Sequence, residues 1–588
     1  MPERESKSTR KKIAAFLLIA NLVIISSVLI YKSLSDNPEI LVNQVGYLPG
    51  QEKTFLVKST YQHPAGSFDL INDSGAKVIE GRPLEYLGTM WDEHYYRGNF
   101  SDINTTGQYT IEARLDTLDI TSYTFRIGTN IYDSTLERGY EFFYYQRCGC
   151  RVHELVEGYV GHEPCHLDDN VFHGGEHLNA TGGWHSAGDY AKHNYWGLHI
   201  LGTIYSCLFA YQMNPGYYDT IDHYDVNGSL NPDGIPDVLN EAMYGLEYVE
   251  KIFLDNGSLV GSILGTLQFC PPEYDTDGIV GSEDDRWLFE GENHEYVYPW
   301  EAMWAVAGFA KMANIIASTS YFPGRDTEMM EYALNIYGNY TDGSISSVMA
   351  NHELFKYTSN ATYDQRASTY ATNYYNWYSG IPGRDDTGGA CRDAGLFIHW
   401  AMENNSGIAR DMANNVSAKL LNNNLKVLSS DPGNYYNILK MEYEGEYTYI
   451  NERIGLNGYY LGAAFASFMA YNVTNGTYPE LLEIGLKQLN WVFGLNPFGT
   501  CMFETVGSEN PSIYHHRYAL IPGNRRGAVP GAIINGICKR DGKPFINEVS
   551  ATVSAFQDKM PSSSSNEPWL PHNVEFMYMI GAMYKFIL

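Results

Sequence analysis

The chain has 588 residues, a formal net charge of -30 at pH 7, 48 Tyr and 10 Trp. That length calls for one large domain with a smaller companion, each with its own apolar core. The negative charge excludes a nucleic-acid phosphate backbone as partner, because no basic stripe with interleaved aromatics offsets it, and eight Cys are too few for a disulfide scaffold.

In chain order, the first element is apolar. After KSTRKK comes IAAFLLIANLVIISSVLIY, Ile13 to Tyr31, which at helical rise is about 28 Å long, close to the hydrocarbon thickness of a bilayer. Arg10, Lys11 and Lys12 predict a cytoplasmic amino end and an exported remainder. A cleaved signal peptide is the alternative, but no A-x-A arrangement of small residues follows the apolar run. The expectation is a single-pass cell-membrane protein with its bulk outside, or a secreted one if the segment is cleaved. Sequons at Asn99, Asn179 and Asn415 agree with export.

From Ile40 to about Thr129 the apolar period is two. YTIEARL puts Tyr109, Ile111, Ala113 and Leu115 on one face, and YTFRI puts Tyr123, Phe125 and Ile127 on one face. Turn signals NDSG at Asn72 and NTTG at Asn104 complete the pattern of a β-sandwich. After Tyr132 the period becomes helical. IPDVLNEAMYGLEYVEKIF aligns Val238, Leu239, Met243, Leu246 and Val249, with Pro236 suited to a first turn. Helices are predicted near 135–147, 194–213, 235–253, 298–317, 392–403, 457–472, 480–493 and 573–587, joined by long loops rich in Gly, Asn and Asp. Such loops usually carry function, which suggests a closed helical barrel with a cleft on one face; periodicity alone does not separate that barrel from an irregular bundle.

Two constellations carry chemistry. Cys148 in QRCG, Cys165 and His166 in EPCHLDD, and His185 in GGWH supply two thiols and two imidazoles, the ligand set of a closed tetrahedral zinc site. A disulfide from Cys148 or Cys150 to Cys165 is the alternative in an oxidising compartment. Asp189 in GGWHSAGDYAKHN and Glu567 in NEPWLPHN sit in Gly- or Pro-broken polar contexts. Glycosidic hydrolysis needs such a pair, one carboxylic acid to protonate the leaving oxygen and one carboxylate to activate water or attack.

These stretches resemble glycoside hydrolase family 9, which contains many cellulases with an amino-terminal immunoglobulin-like module. ILVNQVGYLP at Ile40 and NFSDINTTGQYTIEA at Asn99 look like that module; FFYYQRCG, PCHLDD and GGWHSAGDY look like the entry to the catalytic domain; IPDVLNEAMYGLEYV, LNWVFGLNPFGT, HHR at His515 and GAVPGAIING follow in the family's order. The resemblance implies an immunoglobulin-like sandwich over 38–129 and an (α/α)6 barrel over 130–588, after a tail, anchor and linker over 1–37. It implies Asp189 as general base and Glu567 as general acid of an inverting hydrolysis of a β-1,4-linked glucan. The placement of Glu567 follows the family's spacing of an aromatic, an Asp, the Glu and an Asn, reproduced by Phe556, Asp558, Glu567 and Asn573, and not by Glu548. His515 and Arg517 match its sugar-binding H-x-R segment, and Cys148, Cys165, His166 and His185 its zinc ligands. Trp184 and Trp569 are candidate sugar neighbours, each with ordinary core as the alternative.

Four residues depart from the family's pattern. Ser186 stands where the family has a first Asp that helps hold the attacking water; Glu509 and Ser563 break its usual wording; Trp569 replaces a small residue. A hydroxyl carries no charge and cannot share a proton as a carboxylate can. Two alternatives follow: a membrane-tethered glycan-binding protein with weakened or lost catalysis, or a hydrolase of another β-glycan such as a β-glucosaminide. Calcium is compatible with the family and with loops such as DVNGSLNPDGIPD at Asp225, without assigned ligands. No organic cofactor and no protein partner is implied.

Overall fold

In the computed structural model the described residues are 12 and 36–588, apart from 65, 195–197, 265–276, 283–284, 289–294, 341, 381–387, 405–406, 430–432, 444–445 and 547–561. The expected membrane span at Ile13 to Tyr31 therefore lies outside them; among the described residues no helix is long and apolar enough to cross a membrane. The chain divides into two compact units, one ending at Gly128 and taking in Pro497–Gly499, the other comprising Thr129–Asn496 and Thr500–Leu588.

The first unit is a β-sandwich. One sheet has the order β1-β3-β7-β6, with β1 Glu39–Leu41, β3 Thr54–Ser59, β6 Glu85–Met90 and β7 Glu93–Asn99. The other has the order β2-β10-β8-β4-β5, with β2 Gly46–Tyr47, β4 Gly66–Asn72, β5 Lys77–Pro83, β8 Gly107–Leu115 and β10 Phe125–Ile127; β9, Leu118–Thr121, also pairs β8. Alternation works here because every second residue of β8 faces the core: Tyr109, Ile111, Ala113 and Leu115 are buried together with Phe55, Phe68, Phe100 and Phe125. Gly46 is required where β2 lies parallel to β10, since its φ is +133° and a Cβ would lie 2.0 Å from the Arg126 carbonyl oxygen. The turn at NDSG forms as expected, with Asn72 Oδ1 accepting from the N–H groups of Ser74 and Ala76. Tyr123 departs from expectation and is 39% exposed. Ser122 bonds to Ile111 through both its N–H and its hydroxyl, which breaks the alternation between β9 and β10.

The second unit is helical. Among the described residues twelve helices of 13 residues or more occur: α1 Asp133–Tyr145, α2 Ile200–Met213, α3 Asp237–Ile252, α4 Pro299–Ser318, α5 Asp326–Asn339, α6 Ile345–Thr358, α7 Ala361–Gly380, α8 Gly388–Asn404, α9 Gly407–Ser429, α10 Asn457–Val473, α11 Pro479–Val492 and α12 Leu570–Phe586. The even-numbered ones touch in a closed circuit, α2 to α4, α6, α8, α10, α12 and back to α2, and each odd-numbered one packs against at least one of them. Sequence follows position. In α2 every residue but Gln212 is buried, as suits a helix enclosed all round, whereas α3 buries a stripe containing Val238, Leu239, Met243, Leu246 and Val249.

Where a helix near 194–213 was expected, the described helix runs Ile200–Met213, and Lys192–His193 ahead of it pairs as a strand with Ser262–Leu264. Helices α5, α6, α7 and α9 were not predicted. Their sequences are dense in Asn, Ser, Thr and Tyr, which have middling propensity, and α7 buries only Ala367, Ala371, Tyr374 and Tyr378. Packing against neighbouring helices stabilises them: α5 on α4, α6 on α4 and α7, α7 on α6, and α9 on α8 and α10.

Candidate active site and metal cluster

Three segments meet at the N-terminal ends of α2 and α12. In the loop from Ser186 to Tyr190, the Gly188 carbonyl accepts from the Arg517 N–H at 3.1 Å and the Ser186 carbonyl accepts from the Leu570 N–H at 3.0 Å. The His515 N–H donates to the Asn566 carbonyl at 3.2 Å, closing the triangle. Contact is so close at Gly188 that a Cβ there would stand 2.0 Å from the His515 carbonyl oxygen.

The segments bring Asp189, His515, Arg517 and Glu567 into one site. Asp189 is half-buried, and its Oδ1 accepts from the Ala191 N–H at 3.0 Å. Glu567 is buried, 6% exposed. Burial pushes its carboxyl well above the usual carboxylate range, and the negative charge of nearby Asp189 adds to the effect; the Trp569 indole and the Gly188 N–H oppose it. A buried carboxyl that keeps its proton above the usual carboxylate range is what a proton donor requires. Burial pushes the His515 imidazole down to about 4, with Asp189 opposing, so it is neutral at pH 7 and able to donate or accept a hydrogen bond. Arg517 is buried with its guanidinium 5.2 Å from the centre of the Tyr190 ring. His516 turns the other way, its Nε2 3.0 Å from Gln146 Oε1.

Ser186 is fully buried and its Oγ accepts from the His193 N–H at 2.9 Å. The hydroxyl therefore holds the loop closed. Trp569 is half-buried beside Glu567, parallel to the His572 ring at 5.7 Å and 4°. Trp184 corrects its expected role as a sugar neighbour. It is fully buried, its Nε1 donates to Glu241 Oε2 at 3.0 Å, and a Cβ on Gly245 would strike its ring at 2.2 Å. No face of that indole is open to a sugar, because the N–H and the ring are both spent in the core. Trp184→Phe is accordingly expected to cost about 1–3 kcal/mol of stability by leaving a buried carboxylate oxygen short of a donor, while KM for a glucan stays unchanged; thermal melts and steady-state kinetics check both. Asp558, with Phe556 and Glu548, lies outside the described residues.

Beside the loop, Cys148, Cys165, His166 and His185 are all buried and offer ligand atoms within 4.8 Å of one another, a cluster that could hold a metal ion. Cys148, Cys150 and Cys165 are free, so the disulfide alternative does not form. His185 reaches the cluster because GGWH lies along the segment after α1: the Cys148 N–H donates to Gly183 O at 2.9 Å and the His185 N–H to Gln146 O at 2.8 Å. His185 Nδ1 is buried without a hydrogen-bond partner, and burial holds its imidazole well below 6.5, in the neutral form that ligates. Burial opposes ionisation of the Cys148 thiol, yet the Cys165 contact and the charges of Lys192, Arg286 and His166 hold it well below 9. In DVNGSLNPDGIPD, Asp225 Oδ1 accepts the N–H groups of Asn227 and Ser229, and Asp222, three residues before that stretch, accepts those of its Asp233 and Gly234.

Tyr190, Arg286 and Gly188 were not singled out from sequence as functional. Gly188 and Tyr190 stand inside a quoted motif, but Arg286 lies in none, and only the three-dimensional arrangement brings it to the loop.

A family model described as "Cellulase N-terminal ig-like domain" matches residues 35–117. A "Cellodextrinase" of Butyrivibrio fibrisolvens is 30% identical over 253 residues, 42% of this chain and 42% of that protein. "Endoglucanase D" of Acetivibrio thermocellus is 24% identical over 349 residues, 56% of this chain and 49% of that protein. The matched stretch thus spans less than half the length of these relatives. A metagenome-derived glycoside hydrolase family 9 endoglucanase superposes with a TM-score of 0.68 at 21% identity, covering 94% of this chain and 99% of that one, and a Bacteroides ovatus GH9 structure superposes with a TM-score of 0.68 at 18% identity, covering 92% and 98%. At that identity the likeness is one of fold. The model "Glycosyl hydrolase family 9" matches residues 132–580, most of the chain, and the protein therefore belongs to that family.

Proposed function

We propose that the protein hydrolyses a β-1,4-linked glucan, cellulose or its oligosaccharides, with inversion at the anomeric carbon. Asp189 takes a proton from water; the water oxygen bonds to the anomeric carbon as the glycosidic C–O bond breaks; Glu567 gives its proton to the departing oxygen. One observation carries the reading: Glu567 is buried beside Asp189 and holds its proton well above the ordinary carboxyl range. His515 and Arg517 would hold sugar hydroxyls beside the cleaved bond, with Ser186, Trp569 and Asp558 as further substrate-binding candidates. The closed circuit of six inner helices with six outside supports an (α/α)6 barrel over 130–588, with 38–129 as the immunoglobulin-like module. Residues 1–37 would tether it to the outer face of the cell membrane.

We further propose that the four-ligand cluster holds structural zinc. Tetrahedral zinc with Zn–S near 2.3 Å and Zn–N near 2.05 Å implies S···N edges of about 3.5 Å and an N···N edge of about 3.3 Å. The edges here are 3.6 Å from Cys148 Sγ to His166 Nδ1, 3.5 Å from Cys165 Sγ to His185 Nε2, and 3.4 Å from His185 Nε2 to His166 Nδ1. With four protein donors there is no open position for substrate, so the ion's contribution would be to hold the loop that carries His185 and Asp189.

The deciding experiment is product analysis by anomeric NMR on soluble β-glucans and chitosan oligomers. First release of the α-anomer from the β-glucan supports the reading; a β-anomer, or release from chitosan alone, overturns it. Ser186→Asp tests the departure from the family. A carboxylate oxygen can still accept the His193 N–H, and a second carboxylate near the attacking water is expected to raise kcat about tenfold, measured by reducing-sugar release.

A further inference from the structure

We propose that Arg286 and Tyr190 are positioning residues for proton transfer at Asp189, holding its loop against the four-ligand cluster; this rests on the assignment of Asp189 as the base. Tyr190 directly follows Asp189 and has φ of 65°, a left-handed value that an L residue keeps only when its surroundings impose it. Those surroundings are visible. Its ring stacks on the ligand His185 with centroids 3.9 Å apart and planes 8° from parallel, and the Arg517 guanidinium lies 5.2 Å from the ring centre. Its carbonyl accepts from Arg286 Nη1 at 2.8 Å.

The rest of the Arg286 fork is equally committed. Nε and Nη2 donate to Asp169 Oδ2 at 3.1 and 2.5 Å, and Nη2 lies 3.3 Å from Cys148 Sγ. All of this is buried. One planar cation therefore joins the loop of Asp189, a thiol of the cluster and a buried carboxylate. A lysine, with a single ammonium, cannot span the three at once. The peptide after Asp189 is thus held at its ring, its carbonyl and its backbone angle, while the Ala191 N–H fixes Asp189 Oδ1. A carboxylate so held meets the attacking water in one orientation, and displacement by about 1 Å can cost about 10²-fold in rate.

The test compares Arg286→Lys, Tyr190→Leu and Tyr190→Phe with the wild type in kcat and KM on a soluble β-glucan, in metal content, and in hydrogen exchange of the amides from Ser186 to Ala191. Arg286→Lys and Tyr190→Leu are expected to lower kcat about 10- to 100-fold with KM within about threefold, to keep the wild-type metal content, and to exchange those amides faster. Tyr190→Phe, which keeps the ring stack, is expected to stay within about twofold of the wild type. Unchanged kcat and exchange in Arg286→Lys and Tyr190→Leu would overturn the proposal, as would a loss explained wholly by lost metal. If Arg286→Lys does not fold, the Tyr190 pair carries the comparison. If the wild type releases no sugar, the hydrolase reading fails by itself, and the exchange measurement still decides whether these residues hold the loop.

Discussion

Glu567→Gln is expected to lower kcat on a β-glucan by roughly 10²- to 10⁴-fold, the contribution of a positioned general acid, with glycan affinity retained. The amide fills the same buried space but has no proton to give the leaving oxygen. In the wild type, activity should fall as pH rises through the raised value of this carboxyl, since the acid must be protonated; the variant's residual activity should lack that fall. The stability of the wild type should fall over the same pH range as its activity. Because the folded-state value of Glu567 is raised by burial and by Asp189, its contribution to stability is complete below the ordinary carboxyl range and is lost as pH rises through the raised value. Glutamine has no charge to develop, so above the ordinary carboxyl range the variant should melt no lower than the wild type, and higher as pH increases. A variant both inactive and strongly destabilised at pH 7–8 would mean that Glu567 is a structural carboxyl and not the acid.

Cys165→Ser should have the next largest effect. Loss of an outer partner of a metal ligand already weakens metal binding about 10- to 100-fold, and loss of a thiolate ligand should exceed that. The unbalanced remainder, a buried Cys148 and two neutral imidazoles, should lower stability by roughly 3–5 kcal/mol, the scale for removing one partner from a buried charge cluster. Because His185 and Asp189 share one loop, kcat should fall with metal content, and a strong chelator should reproduce both effects in the wild type. Metal analysis, calorimetry and kinetics on one preparation measure all three. Wild-type melting and activity in the thiol-to-hydroxyl variant would show that the cluster needs no ion.

What was legible from sequence was the part written locally. The period-two faces of Tyr109–Leu115 name the sandwich core, the apolar runs of α2, α10 and α12 name helices, and GGWHSAGDY names a glycine-broken loop with a carboxylate in it. The four metal-cluster residues were legible as a ligand set, though spacing alone left a disulfide open. Only tertiary structure could decide which polar residue faces what. Trp184 and Trp569 read alike in sequence, yet one is enclosed beside Glu241 and the other stands next to Glu567. Helices α5, α6, α7 and α9 carry weak signals because their stability comes from packing on other helices, which propensity within the segment does not record. The proton held by Glu567 and the clamp of Arg286 on Tyr190 depend on burial and on charges that are 378 and 96 positions away, respectively, along the chain. Desolvation and Coulomb interaction act through space, so no local pattern of residues encodes them.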